Sequence, residues 1–267
     1  MQTAVMADPF IYIAGGLLVG VMVGLTGVGG GSLMTPLLIL LFGQTPATAV
    51  GTDLAFAAIT KVAATASFGY SRRVDWRIVG RLALGSIPGA AAAIAWFCWS
   101  PSPLSVDHLI LRALAAMLAI TAAGLLLQHP LRHLGLKLAA SLAGAGRHQR
   151  ILTLLAGFFI GVAVTLTSVG AGALGTMALV WLYPLRLPGD RLVATDIAHA
   201  LPVTVIAGLG HAALGHLNLA VLACLLIGSI PGILIASRVV IRIPQAITRA
   251  LVAVMLLVAA GRVFLTS

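Results

Sequence analysis

The run Thr26-Gly27-Val28-Gly29-Gly30-Gly31-Ser32 interrupts a long apolar stretch, and Thr167-Ser168-Val169-Gly170-Ala171-Gly172-Ala173 interrupts a second one in the other half of the chain. Such breaks constrain the fold because of what surrounds them. Hydrophobic residues make up 60% of the sequence and charged residues 8%, whereas a soluble domain carries roughly 25% charged residues. The solvent for most of this chain is lipid. There an unpaired backbone N–H or C=O costs several kcal/mol, so irregular backbone survives only where protein buries it or where it lines a polar cavity. Related breaks in corresponding positions of two halves point to a binding site near the membrane midplane of a transporter.

The few charges report orientation. Acidic residues are Asp8, Asp53, Asp75, Asp107, Asp190 and Asp196, with no glutamate, and the net charge is +10. The arginines sit mostly between apolar runs. They read as topology signals rather than as a nucleic-acid surface. Cys98 and Cys224 lie far apart in apolar runs and form no CxxC pattern. They imply neither a disulfide framework nor a metal site, and no cofactor is expected. Residues 1–8 contain no Lys or Arg, so the first apolar segment is not introduced like a cleavable signal peptide and is expected to stay in the protein.

Apolar segments fall at about 10–25, 33–43, 48–69, 77–98 and 109–127, then at about 151–166, 173–183, 192–212, 218–237 and 246–265. A polar, basic connection over 128–150 separates the two sets. Several segments approach the ~20 residues needed to span a bilayer. The segments at 33–43 and 173–183 are short, as half-helices or tilted buried helices would be. The two sets are copies. Residues 20–35 match 161–176, sharing Gly20/Gly161, Thr26/Thr167, Gly29/Gly170, Gly31/Gly172 and Thr35/Thr176. After an insertion of two residues in the second half, Thr52-Asp53-Leu54-Ala55 falls on Thr195-Asp196-Ile197-Ala198, and Gly85-Ser86-Ile87-Pro88-Gly89 on Gly228-Ser229-Ile230-Pro231-Gly232. The expected organisation is a first transmembrane repeat over 1–127, a cytoplasmic linker over 128–150 and a second repeat over 151–267.

Arg72, Arg73, Arg77 and Arg81 cluster at the third connection of the first half, while 43–48 and 100–107 carry no Lys or Arg. In the second half the third connection, 215–218, has none, and Arg186, Arg191, Arg238 and Arg242 flank it on either side. By the positive-inside rule the halves face opposite ways. The predicted fold is therefore an all-α polytopic membrane protein of two inverted repeats, each of about five helical segments. Broken or re-entrant helices meet near the midplane. Both chain ends lie outside, and the protein sits in a plasma membrane, the inner membrane of a bacterium.

A helix that starts after a glycine break aims free N–H groups and a positive dipole end at the cavity, which suits an oxyanion. Gly27, Gly29, Gly30, Gly31, Gly170 and Gly172 would supply that backbone; Thr26, Ser32, Thr167 and Ser168, with Thr52 and Thr195, would add hydroxyl groups. The same glycines also fit close helix packing. Asp53 and Asp196 occupy equivalent positions deep in apolar segments, where ionisable groups are costly and mark function. They are candidates for ion coupling, with helix capping as the plainer role. Lys61 either supplies positive charge to an anion or snorkels to an interface. His199, three residues after Asp196, either shares a proton with it or is a buried histidine bonded to a neighbour. No tight ligand cluster marks a metal.

Gly27-Val28-Gly29-Gly30-Gly31 followed by Pro36, then Ala49-Val50-Gly51-Thr52, then Val74-Asp75-Trp76 ahead of a glycine-rich helix, resembles the TauE/SafE family of sulfite exporters. The resemblance covers nearly the whole chain. It implies outward transport of a small sulfur-containing anion: sulfite, sulfoacetate or a related organosulfonate. The chain departs from the family pattern at Asp53, where a Gly-Thr-Ser-Leu run is common, at Asp196, and in carrying Lys61 inside a membrane segment.

The sequence thus leads to a secondary transporter, not an enzyme, with a small anion, the lipid bilayer and a proton or other coupling ion as partners. No nucleic acid is expected, and a homodimer stays open. The alternatives are a divalent-cation transporter built on Asp53, Asp196 and His199, and a non-transporting membrane scaffold.

Overall fold

The structure, a computed structural model, describes residues 9–26, 31–70, 73–99, 102–127, 146–170, 172–187, 189–239 and 245–266. Helices account for nearly all of them, and no strand occurs among the described residues. The first five are α1 (Pro9–Thr26), α2 (Gly31–Leu40), α3 (Pro46–Tyr70), α4 (Trp76–Trp99) and α5 (Pro103–Leu126). The second five are α6 (Gly146–Thr167), α7 (Ala173–Leu182), α8 (Gly189–Ala213), α9 (Leu219–Val239) and α10 (Gln245–Thr266). Helix α6 takes in the last five positions of the expected linker. Five helices are long and apolar enough to cross a membrane. Large apolar side chains such as Phe10, Trp99, Phe159 and Leu265 stand exposed on the outer surface, as lipid-facing positions do.

The two short helices have the same length, 10 residues each. At 1.5 Å per residue that is roughly 15 Å, half a bilayer core. Each follows a glycine break, and α3 and α8 follow them with 25 residues apiece. The duplication read from the sequence is therefore a duplication of structure, five helices matched by five.

The repeats do not sit side by side. Each long glycine-bearing helix packs on one from the other repeat. A Cβ at Gly16 or Gly20 of α1 would strike the backbone of Leu225 or Ser229 in α9, and one at Gly228 or Gly232 would strike Ile13 or Leu17. The equivalent pair does the same: Gly85 and Gly89 of α4 lie against Leu154 and Phe158 of α6, and Gly157 and Gly161 against Leu82 and Ser86. All four helices carry glycines four residues apart on the contact face, the close-approach motif of membrane helices. The repeated Gly-Ser-Ile-Pro-Gly pentapeptide is half of this interface.

The pairings also give relative direction. In α1 and α9 later residues meet later residues, so the two run parallel; α4 and α6 do likewise. For the equivalent helices α3 and α8 the order is reversed. Gly51 meets His211 and His216, Leu54 and Ala55 meet Gly208, and Thr195 near the start of α8 reaches Asp75 just beyond α3. Equivalent helices that run antiparallel are what inversion of the repeat requires. Apolar clusters seal the assembly, Leu114, Leu118 and Ala122 of α5 packing with Val252, Leu256 and Ala260 of α10.

Candidate functional site

On antiparallel α3 and α8 the two Thr-Asp dipeptides lie at opposite ends of the helix pair, Thr52 beside Asn218 and Thr195 beside Asp75. Asp53 is fully buried and Asp196 is 3% exposed. Thr35 of α2 donates to Asp53 Oδ2 at 2.5 Å, and its counterpart Thr176 of α7 donates to Asp196 Oδ2 at 2.9 Å. The hydrogen bond has been duplicated with the chain. In both aspartates the other oxygen, Oδ1, is buried without a hydrogen-bond partner.

The threonines beside them join the repeats. Thr52 Oγ1 accepts the backbone N–H of Asn218 at 3.2 Å, and Thr195 Oγ1 accepts that of Asp75 at 3.1 Å. Asn218 and Asp75 in turn cap the following helices, accepting from Val221 N at 3.2 Å and Ile78 N at 3.3 Å. Both hydroxyl oxygens expected to face a substrate are thus engaged at the junction between halves. Asp75 also pairs with Arg186 Nε at 2.9 Å. Asn218, its neutral counterpart, has no charge to pair.

Lys61 lies on α3 eight residues beyond Asp53, 6% exposed, and its charge acts on both Asp53 and Asp196. Eight residues of helix are roughly 12 Å of rise, and a helical side chain leans back toward the N-terminus. Lys61 makes no hydrogen bond and no ion pair within 4 Å among the described residues.

The second glycine break closes over this group. Ser168 has φ +56° and Gly170 φ +106°; both values lie in the left-handed region, which favours glycine and strains serine. Gly170 is thus required by the path of the chain itself. Thr167 Oγ1 turns inward, donating to the carbonyl of Ala163 at 2.7 Å and accepting from Val169 N at 3.1 Å. Ser168 approaches the Asp53 carboxylate from the other repeat, yet neither its Oγ nor Asp53 Oδ1 reaches a partner in good hydrogen-bond geometry. Helix α7 then starts at Gly172 with no side-chain cap, and a Cβ at Gly175 in its first turn would strike Asp196 Oδ1.

Of the residues expected from the sequence, Ser168 reaches Asp53, and the charge of Lys61 acts on both Asp53 and Asp196; Thr52 and Thr195 lie at the two ends of the α3–α8 pair, engaged with Asn218 and Asp75. Gly172 stands at the head of α7. Thr26, Gly31 and Ser32 lie on the helices flanking the first break; their side chains, and Gly27, Gly29 and Gly30, lie outside the described residues. His199 is buried and turns to Ser86 of α4, Nε2 to Oγ at 3.0 Å, rather than to Asp196. Among the described residues no group of three or more His, Cys, Asp or Glu side chains is arranged to hold a metal. Sequence reasoning left out Thr35, Thr176, Gly175 and Ser86. The first two were legible as a matched pair in the repeat alignment. Gly175 was not, because Met34 stands in its place in the first repeat.

A largely buried lysine thus lies where the charge of a carboxylate from each repeat acts on it. The profile of the sulfite exporter TauE/SafE family matches residues 12–263. The chain belongs to that family. It is 39% identical over 228 residues to "Probable membrane transporter protein YjnA" of Bacillus subtilis (strain 168), covering 84% of this chain and 87% of the relative. A shorter match, 35% identical over 97 residues, covers 34% of this chain and 32% of "Probable membrane transporter protein YunE" of the same organism. No solved structure matches it. Membership of a family of membrane transporters accords with the apolar helices and with a multi-pass membrane protein.

Proposed function

We propose that this TauE/SafE protein is a secondary transporter that carries a small sulfur oxyanion or organosulfonate outward, by alternating access between its two inverted repeats. The observation that carries the reading is Lys61: a lysine only 6% exposed that makes no ion pair among the described residues, placed where charges from both repeats act on it. A cation buried in membrane is costly unless something pairs with it. A bound oxyanion would do so, with the unpartnered hydroxyl of Ser168 as a further donor; the N–H groups of Leu174, Gly175 and Thr176 in the first turn of α7 are already taken by the carbonyls of Gly170 and Gly172. The repeats supply the motion. If each can adopt the other's conformation, the site opens first to one side and then to the other. On this reading both termini lie outside and the linker lies in the cytoplasm.

The orphaned carboxylate oxygens favour a second reading, in which a divalent cation is carried. Binding to the purified protein distinguishes them. Sulfite, sulfoacetate, taurine and sulfate are titrated beside manganese, zinc and magnesium ions, with Lys61→Met as the control. The proposal expects anion binding that Lys61→Met abolishes. Binding of a divalent cation that survives Lys61→Met, with no anion bound, refutes it.

A further inference from the structure

The site's charges can be counted, and the count restricts the ligand. The charge of Lys61 on α3 acts on Asp53 of the same helix and on Asp196 of α8, and uncharged Thr35, Ser168 and Thr176 flank the two carboxylates. Of the other titratable groups on α8, His199 is turned to Ser86, His211 beside Gly51 is turned to the carbonyl of Thr165, and Arg191 keeps its Nε buried and unpartnered five residues before Asp196, on which the acting charge is that of Lys61. Each aspartate uses Oδ2 to accept from its threonine and leaves Oδ1 buried and unpartnered. Oδ1 is thus the atom on which a proton can sit without breaking a bond. On Asp53 that proton would point toward Ser168 Oγ, which also lacks a partner.

Fully ionised, the trio carries one net negative charge. Net charge inside a membrane is heavily penalised, and the empty site is neutral when one of the two aspartates is protonated. Adding a monoanion restores the deficit of one charge, and the second aspartate has room for one more proton. With both aspartates protonated, Lys61 and a monoanion cancel. A dianion leaves one uncompensated negative charge, because no third acceptor exists in the trio.

We infer that Asp53 and Asp196 form a two-proton reservoir around Lys61, so that the site loads a monoanion together with one proton from solution and discriminates against dianions. The inference rests on the anion-transport reading and narrows it to hydrogen oxyanions and monosulfonates. The reaction is a proton transfer only: one O–H bond forms on a carboxylate oxygen for each anion bound, and it breaks when the anion leaves.

The experiment is calorimetric titration of the full-length protein in nanodiscs with methanesulfonate, a monoanion, and with sulfate, a dianion, in buffers of differing protonation enthalpy. The wild type should take up one proton per methanesulfonate and bind sulfate more weakly by about tenfold or more. Asp53→Asn and Asp196→Asn singly should each still take up one proton, because the remaining aspartate suffices. The double variant should bind methanesulfonate with none. His199→Phe, which installs the residue found at the equivalent Phe56, should keep the one-proton step. Thermal midpoints of all variants confirm folding, and asparagine keeps an oxygen for each threonine bond. Binding of methanesulfonate without proton uptake in the wild type overturns the inference. So does a proton that persists in the double variant or vanishes in His199→Phe, or sulfate bound as tightly as methanesulfonate. Failure of the wild type to bind any anion in the panel sinks the transport reading instead.

Discussion

Asp196 holds its unpartnered Oδ1 against the Cα of Gly175, in space that any side chain at 175 would occupy. This contact fixes the carboxylate over the first turn of α7, at the positive end of the helix dipole, although the N–H groups of Leu174, Gly175 and Thr176 there are bonded to the carbonyls of Gly170 and Gly172. Gly175→Ala should push the carboxylate off this position and strain its bond from Thr176. Anion affinity should fall about tenfold or more, with the protein still inserted. Titration of the purified variant checks this; affinity equal to wild type would show that the placement of Asp196 is irrelevant to binding.

Thr35 and Thr176 are expected to behave alike because they make the same bond in each repeat. Replacing either by valine keeps the shape and leaves a second buried carboxylate oxygen unsatisfied, at a cost of about 1–3 kcal/mol. The sites share Lys61, so the double variant should lose more or less than the sum of the singles. Chemical unfolding in detergent measures it. Strict additivity would mean that the two aspartates are independent.

Asp75 has two roles that substitution separates. It caps α4 through Ile78 N, and it pairs with Arg186, whose side chain is 45% exposed. The pair is solvent-screened and should contribute about 0–1 kcal/mol, whereas a lost cap costs about 0.5–2 kcal/mol. Asp75→Asn should therefore be nearly neutral, since asparagine already caps α9 at the equivalent position 218. Asp75→Ala should destabilise clearly. Equal losses for both would mean that the ion pair, and not the cap, is what Asp75 contributes to stability.

His216, in the α8–α9 connection, is half-buried with its Nδ1 3.3 Å from His211 Nδ1. Burial lowers its pKa below the ordinary 6.5, and the charge of Asp107 opposes this more weakly. The folded protein therefore binds this proton less well than the unfolded chain does. The stability that His216 contributes is full above pH ~6.5 and declines as pH falls below it. His216→Gln should flatten that part of the stability–pH curve, measured as the thermal midpoint between pH 5 and 8. A variant curve with the wild-type slope would place the acid sensitivity elsewhere.

Orientation has a direct test. Leu185 and Ala213 are exposed at opposite ends of the bundle. With Cys98 and Cys224 replaced, a cysteine at 185 should react with an impermeant maleimide only from the cytoplasm, and one at 213 only from outside. Labelling of both from one side contradicts the inverted arrangement.

The sequence by itself determined the membrane environment, the all-helical class, the duplication and its inversion, and it singled out Asp53, Asp196 and Lys61. The reason is that lipid forbids unsatisfied backbone and unpaired charge, so each exception to a continuous apolar helix is written in the residues themselves. The duplication is linear, and alignment alone recovers it. Tertiary structure decided what each exception meets. Thr35 and Asp53 are 18 residues apart on separate helices, and Ser168 reaches Asp53 from the other repeat. Nothing along the chain specifies such encounters; they follow from how α3 and α8 cross. The same holds for the glycines. Gly16, Gly20, Gly228 and Gly232 serve backbone contact between repeats, Gly170 serves a left-handed turn and Gly175 leaves room for a carboxylate. A glycine in the sequence marks a missing side chain, and only the packed structure shows what takes its place.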